Sequence, residues 1–193
     1  MRYLILCTIF AVGVPHFSYA IEVNPTKEHV TRALEQGKAA AESKTPPSHL
    51  FWRFGSSETL KPHGMLMTKL GGVAVLSAHF SFRSARPTDE DMQRVLEDGF
   101  LQVSVTIFGS STRFAVDSYM LLKQGERLIK PAKVRSDALA HRSAVWPNSP
   151  TFKAKVVASF PYDGFDPLVP TTISVFPREG GEVHFELDFS AIP

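Results

Sequence analysis

Between Leu101 and Ile107 the chain alternates without a break: Leu101, Val103, Val105 and Ile107 are apolar, Gln102, Ser104 and Thr106 polar. Side chains of a strand point to opposite faces in turn, so this pattern belongs to a strand with one dry face and one wet face. Such a strand needs an antiparallel sheet and a second layer over its apolar side. Similar segments follow along the chain. Residues 114–122 read as a strand, and Lys123-Gln124-Gly125-Glu126 as a hairpin turn into a strand over 128–134. Pro131 lacks the ladder donor, which places that last strand at a sheet edge.

Residues 151–160 read as a further strand, and 172–176 pairs with 182–189 through the turn Arg178-Glu179-Gly180-Gly181. Residues 73–83, with Ala74, Leu76, Ala78, Phe80 and Phe82 on one side, read as a long strand. About seven strands at short spacing predict a mainly β chain, an antiparallel β-sandwich of immunoglobulin-like type. No Cys–Trp–Cys signature accompanies the pattern.

Two helices complete the expectation. Residues 24–44 read as an N-terminal helix, with Asn24 as cap, Pro25 in the first turn and Thr45-Pro46-Pro47 as the stop. A short crossover helix opens at Thr88, where Asp91 completes a capping box and Met92, Val95 and Leu96 share a face. Residues 50–55 form a short apolar plug for the main core. The predicted organisation is a helical segment over 21–62 packed on a β-domain over 63–193.

The first twenty residues read as an export signal. Arg2 supplies the positive start, 3–14 a mostly apolar stretch, and Ser18-Tyr19-Ala20 the small residues of a cleavage site after Ala20. Twelve residues of helix reach about 18 Å, too short for a hydrocarbon core of about 30 Å. Cys7, the single cysteine, lies inside that stretch, so the remaining chain has neither a disulfide framework nor a cysteine metal site. An exported chain without disulfides fits a bacterial periplasmic or secreted protein, with no membrane span once the signal is removed.

Formal net charge is +2 and no block of like charge stands out, which argues against a nucleic-acid binder. No Gly-x-Gly-x-x-Gly or P-loop pattern is present, so no nucleotide cofactor is expected. Serines follow Gly55 and Gly109 in the two Phe-Gly-Ser-Ser segments, but neither stands in Gly-x-Ser-x-Gly.

Two constellations can carry metal chemistry. His184, Glu186 and Asp188 share the outward face of their strand, about 7 Å apart, so a neighbouring strand must bring further ligands. Asp163 and Asp166, in the loop Tyr162-Asp163-Gly164-Phe165-Asp166-Pro167, offer oxygens to calcium; Asp-Gly and Asp-Pro are also ordinary turn formers. For partner binding the candidates are Trp146, in a long loop, and Lys130 and Lys133, among the cations around the 123–135 hairpin. The leading expectation is a non-catalytic binding or accessory module that meets another protein of the cell envelope. The alternative is a metal-dependent hydrolase or calcium-binding protein built on His184, Glu186 and Asp188 or on the Asp163 and Asp166 loop.

Overall fold

The structure, a computed structural model, describes residues 21–192. The signal segment, Cys7 and the cleavage site before Ile21 lie outside the described residues. Among the described residues there are three α-helices: α1 Lys27–Glu42, α2 Lys69–Ser81 and α3 Asp89–Leu96. Among the described residues there are ten strands rather than seven: β1 Trp52–Gly55, β2 His63–Met67, β3 Phe100–Gly109, β4 Tyr119–Gln124 and β5 Arg127–Ile129. The others are β6 Lys133–Ser136, β7 His141–Arg142, β8 Phe152–Pro161, β9 Thr171–Phe176 and β10 Val183–Leu187.

The strands form two antiparallel sheets. Sheet A runs β1-β2-β3-β8-β6 with β7 also on β8; sheet B runs β10-β9-β4-β5. The alternation read from sequence sets the inner face of sheet A. Leu101, Val103, Val105 and Ile107 of β3 lie opposite Phe160, Ala158, Val156 and Ala154 of β8, and all are buried. Met120 and Leu122 of β4, Ile173 and Val175 of β9 and Phe185 of β10 come from sheet B, and all of these belong to one contiguous hydrophobic cluster. Phe54 of β1 joins it, edge to face with Phe185 at 4.9 Å between ring centres. Of the 50–55 segment, residues 52–55 form an edge strand of sheet A, while Leu50 ends a 3-10 turn and packs on the helical cluster.

Residues 73–83 are not a strand. They lie mostly in α2, whose buried Val73, Ala74, Ser77 and Ala78 recur at helical spacing. Apolar side chains surround this helix, so alternate positions are apolar by composition and a period of two emerges without a strand. Thr68 caps it, its Oγ1 accepting from the Gly71 amide at 3.1 Å. Small residues let α1 approach closely: a Cβ on Gly37 would stand 2.0 Å from the Ala74 carbonyl oxygen. Ser77 Oγ donates to the Leu34 carbonyl at 2.6 Å across the same contact. The helices thus form a second, smaller cluster of their own.

Other boundaries move for local reasons. α1 starts at Lys27, because Thr26 and not Asn24 caps it, accepting from the His29 amide. The strand expected over 114–122 begins only at Tyr119; Asp117 takes a left-handed φ of 57° and Ser118 Oγ donates to the Ala115 carbonyl. The strand expected over 128–134 breaks at Pro131 into β5 of sheet B and β6 of sheet A, each the edge of its sheet. The Gly125-Glu126 turn between β4 and β5 and the capping box of Thr88 and Asp91 form as expected. Hydrogen bonds from Thr88 hold the Asp91 carboxyl below its ordinary value.

Gly37→Ala separates close packing from helix propensity. Alanine favours a helix by about 1 kcal/mol over glycine. Overpacking against the Ala74 backbone costs about 1–3 kcal/mol and wins. The variant is expected to lower the denaturant midpoint; a raised midpoint would mean that α1 does not pack on α2 at this distance.

Candidate functional site

The outward face of β10 carries His184 and Glu186, both exposed, with Phe185 buried between them. Their cross-strand neighbours on β9 are Ser174 and Thr172, so the adjacent strand brings hydroxyls and no carboxylate or imidazole. The His184 Nδ1 stands 3.3 Å from the Glu182 carboxylate. Asp188 caps the short 3-10 turn Phe189–Ala191, its Oδ1 accepting from the Ser190 amide and hydroxyl. The structure therefore leaves these three residues in separate local roles.

The 162–167 loop is pinned by its backbone. Gln124, itself buried, donates through Nε2 to the Asp166 carbonyl at 2.7 Å and to Thr171 Oγ1 at 2.8 Å. Its Oε1 accepts from the Asp166 amide at 3.0 Å. The Asp166 carboxylate accepts from the Leu168 amide, a turn bond, and Asp163 points to solvent. Tyr162, before them, and Phe165, between them, are buried, and Phe165 packs edge to face on Phe189. Burial holds the Tyr162 hydroxyl well above its ordinary value, while the Lys69 backbone opposes the shift and the Lys69 ammonium sits 5.3 Å over its ring. Among the described residues no group of three His, Cys, Asp or Glu could hold a metal ion.

The partner candidates also scatter. Trp146 is 45% exposed and stacks under the Arg142 guanidinium at 4.0 Å, a cation–π contact at the sheet end. Lys130 lies in the crossover between the sheets, and the cations read as one hairpin group divide: Lys123 faces out from sheet B, Lys133 and Arg135 from sheet A.

What sequence reading missed is the outer face of sheet A. A groove of about 1150 Å³ lies there, lined by residues from β1, β2, β3, β7 and β8, with the 55–59 loop as one wall. Its volume exceeds the usual small-ligand range of about 300–1,000 Å³. A second cavity of about 290 Å³, between α1 and β1, falls at the bottom of that range. Arg53, Lys153 and Lys155 line the large groove, with His63, His141, Met65 and Phe108.

Strand register extends this charge beyond the groove. On the outer face Ser159 lies opposite Lys133, Val157 opposite Arg135, and Lys153 opposite His141. Lys155 faces Asp137, whose amide donates to the Lys155 carbonyl at 3.0 Å and whose Oδ2 accepts from the Lys155 amide at 2.8 Å. Four successive rows therefore carry Lys133, Arg135, Lys155 and Lys153. Rows two residues apart are about 6.6 Å apart, so the track is about 20 Å long. Among the described residues none of these four cations has a salt-bridge partner, nor does Arg53. The groove's carboxylates are engaged elsewhere, Asp137 with the β8 backbone and Glu58 with Lys61 at 2.7 Å.

Ser56, Ser57 and His63 share the groove, yet neither serine hydrogen-bonds His63, whose Nδ1 is 2.9 Å from the Lys61 carbonyl. Comparison with known proteins finds no family model and no curated protein that matches the chain.

Gln124→Leu tests the structural role of the 162–167 loop. It leaves the Asp166 amide and carbonyl without these partners, an expected loss of stability of about 1–3 kcal/mol that lowers the denaturant midpoint. An unchanged midpoint would show that the loop is held by other means.

Proposed function

We propose that the chain is an exported, non-catalytic binding module of a bacterial periplasm or cell envelope. On this reading it is a β-sandwich of immunoglobulin-like kind with a helical appendage, and it recognises another envelope protein through the outer face of sheet A. The observation that carries the proposal is the groove with its row of four cations that form no salt bridge among the described residues, against a single carboxylate, Asp137 opposite Lys155. A solvent-exposed sheet face ordinarily mixes charges of both signs, which lowers its field and its attraction for partners. Here the positive charges are left open over about 20 Å, and complementary charge across an interface steers encounter and fixes orientation. The apolar signal-like start of the chain supports export, and the absence of cysteine after Cys7 fits a fold that does without disulfides.

A photo-crosslinking residue placed at Thr106, in the groove, and in a second strain at Thr172, on the outer face of sheet B, tests this in intact cells. The expected result is a defined adduct from position 106 only, on a periplasmic chain that begins at Ile21. Adducts from both positions alike, or a chain retained in the cytoplasm, would contradict the proposal.

A further inference from the structure

We propose that the occupant of the sheet A face is an extended acidic segment of a partner protein, with Asp or Glu at alternate residues. The inference rests on the reading of that face as the binding surface and adds the chemistry of what it binds.

Lys133, Arg135, Lys155 and Lys153 occupy four rows of the sheet, each two residues from the next. The rows are about 6.6 Å apart, and alternate side chains of an extended peptide repeat at the same interval. A peptide lying along β8 with acids at every second position therefore meets one cation per acid, in register. A helical peptide repeats its faces at about 5.4 Å per turn and loses that match within two rows.

The groove is concave, with the 55–59 loop on one side and Asp137 and His141 on the other, a shape that suits a chain segment better than a flat bilayer. Met65 and Phe108 add apolar surface beside the lysines, a lining that simple phosphate polymers would not use. Of the Phe rings that line the groove, Phe54 turns into the core and Phe108 stays outside, with the His63 imidazole 6.2 Å from it. Single-stranded nucleic acid is held by several stacking rings along a basic track, and the floor has no such series.

Val134, Ala154 and Val156 point into the core between the cations, so the backbone that carries the four side chains is fixed from behind. None of the four forms a salt bridge among the described residues, and the one carboxylate opposite them, Asp137 beside Lys155, accepts from the β8 backbone. Each exposed pair is weak by itself, and several in register add up to a useful affinity that salt screens.

The test uses the mature protein and two fluorescein-labelled peptides of equal composition, one alternating Asp with Ser, the other with its Asp residues in one block. Fluorescence anisotropy at low salt is expected to show the alternating peptide binding about tenfold tighter. The variant Lys153→Glu/Lys155→Glu is expected to lose at least about tenfold, with Lys153→Gln/Lys155→Gln intermediate, while Lys123→Glu on sheet B leaves binding unchanged. Circular dichroism checks that each variant is folded. Equal binding of the two peptides, or no effect of either double substitution, would overturn the proposal. So would tighter binding of phosphatidylglycerol vesicles or of a single-stranded oligonucleotide. Failure of both peptides with the Thr106 adduct still present in cells would remove the acidic-segment chemistry and leave the binding surface standing.

Discussion

The ladder between β3 and β8 is the constraint on which the rest depends. It pairs ten residues of each strand, from Phe100 with Pro161 to Gly109 with Phe152. Its two faces have opposite characters. Inward, Val103, Val105, Val156 and Ala158 are wholly buried; outward stand Thr106, Lys153 and Lys155. Because side chains alternate, a slip of one residue would turn both lysines into the core and Ala154 and Val156 into water. Burying unpaired charge is costly enough to forbid that register. The pattern that makes the core therefore also fixes where the cations stand, and the recognition proposed for the outer face rests on the same ladder as stability at the inner one.

The helices complete this division. α1 and α2 pack on each other through Gly37, Ala74 and Ser77, and α3 adds Val95 and Leu96 to the same cluster. No residue of these helices lines the large groove. Their link to the sheets runs through β2, which leads into α2, and through Lys69 over the buried Tyr162. A helical layer laid across sheet A would have covered the cationic rows; packing on itself at the side, it leaves them in contact with solvent.

Much of the architecture was legible because it is local. The alternation of 101–107, the Gly125-Glu126 hairpin, the turn before β10 and the capping box of Thr88 and Asp91 each depend on neighbours in sequence. The 73–83 segment misled because Ala, Ser and Gly fill α2, and a helix apolar on all sides satisfies a period of two as well as its own. The metal candidates depend on pairing that lies outside their own strand. His184 and Glu186 do share a face, but the decisive residues are Ser174 and Thr172 on the next strand, and that pairing is set by the β9–β10 register. The cationic rows were hidden by distance: Lys153 and Lys155 alternate visibly with Ala154 and Val156, whereas Lys133 and Arg135 join them only because β6 leaves the β5 hairpin and crosses to sheet A. Nothing near Pro131 announces which sheet the chain will enter.

The central claim is that this protein recognises its partner by charge along the outer face of sheet A. The most direct measurement is the affinity of the mature protein for the partner captured at Thr106, taken between about 0.05 M and about 0.5 M salt, where the screening length falls severalfold. The account predicts that affinity drops steeply over that range. An affinity that stays level would mean that the interface is apolar, and the row of cations would then be an ordinary solvated face.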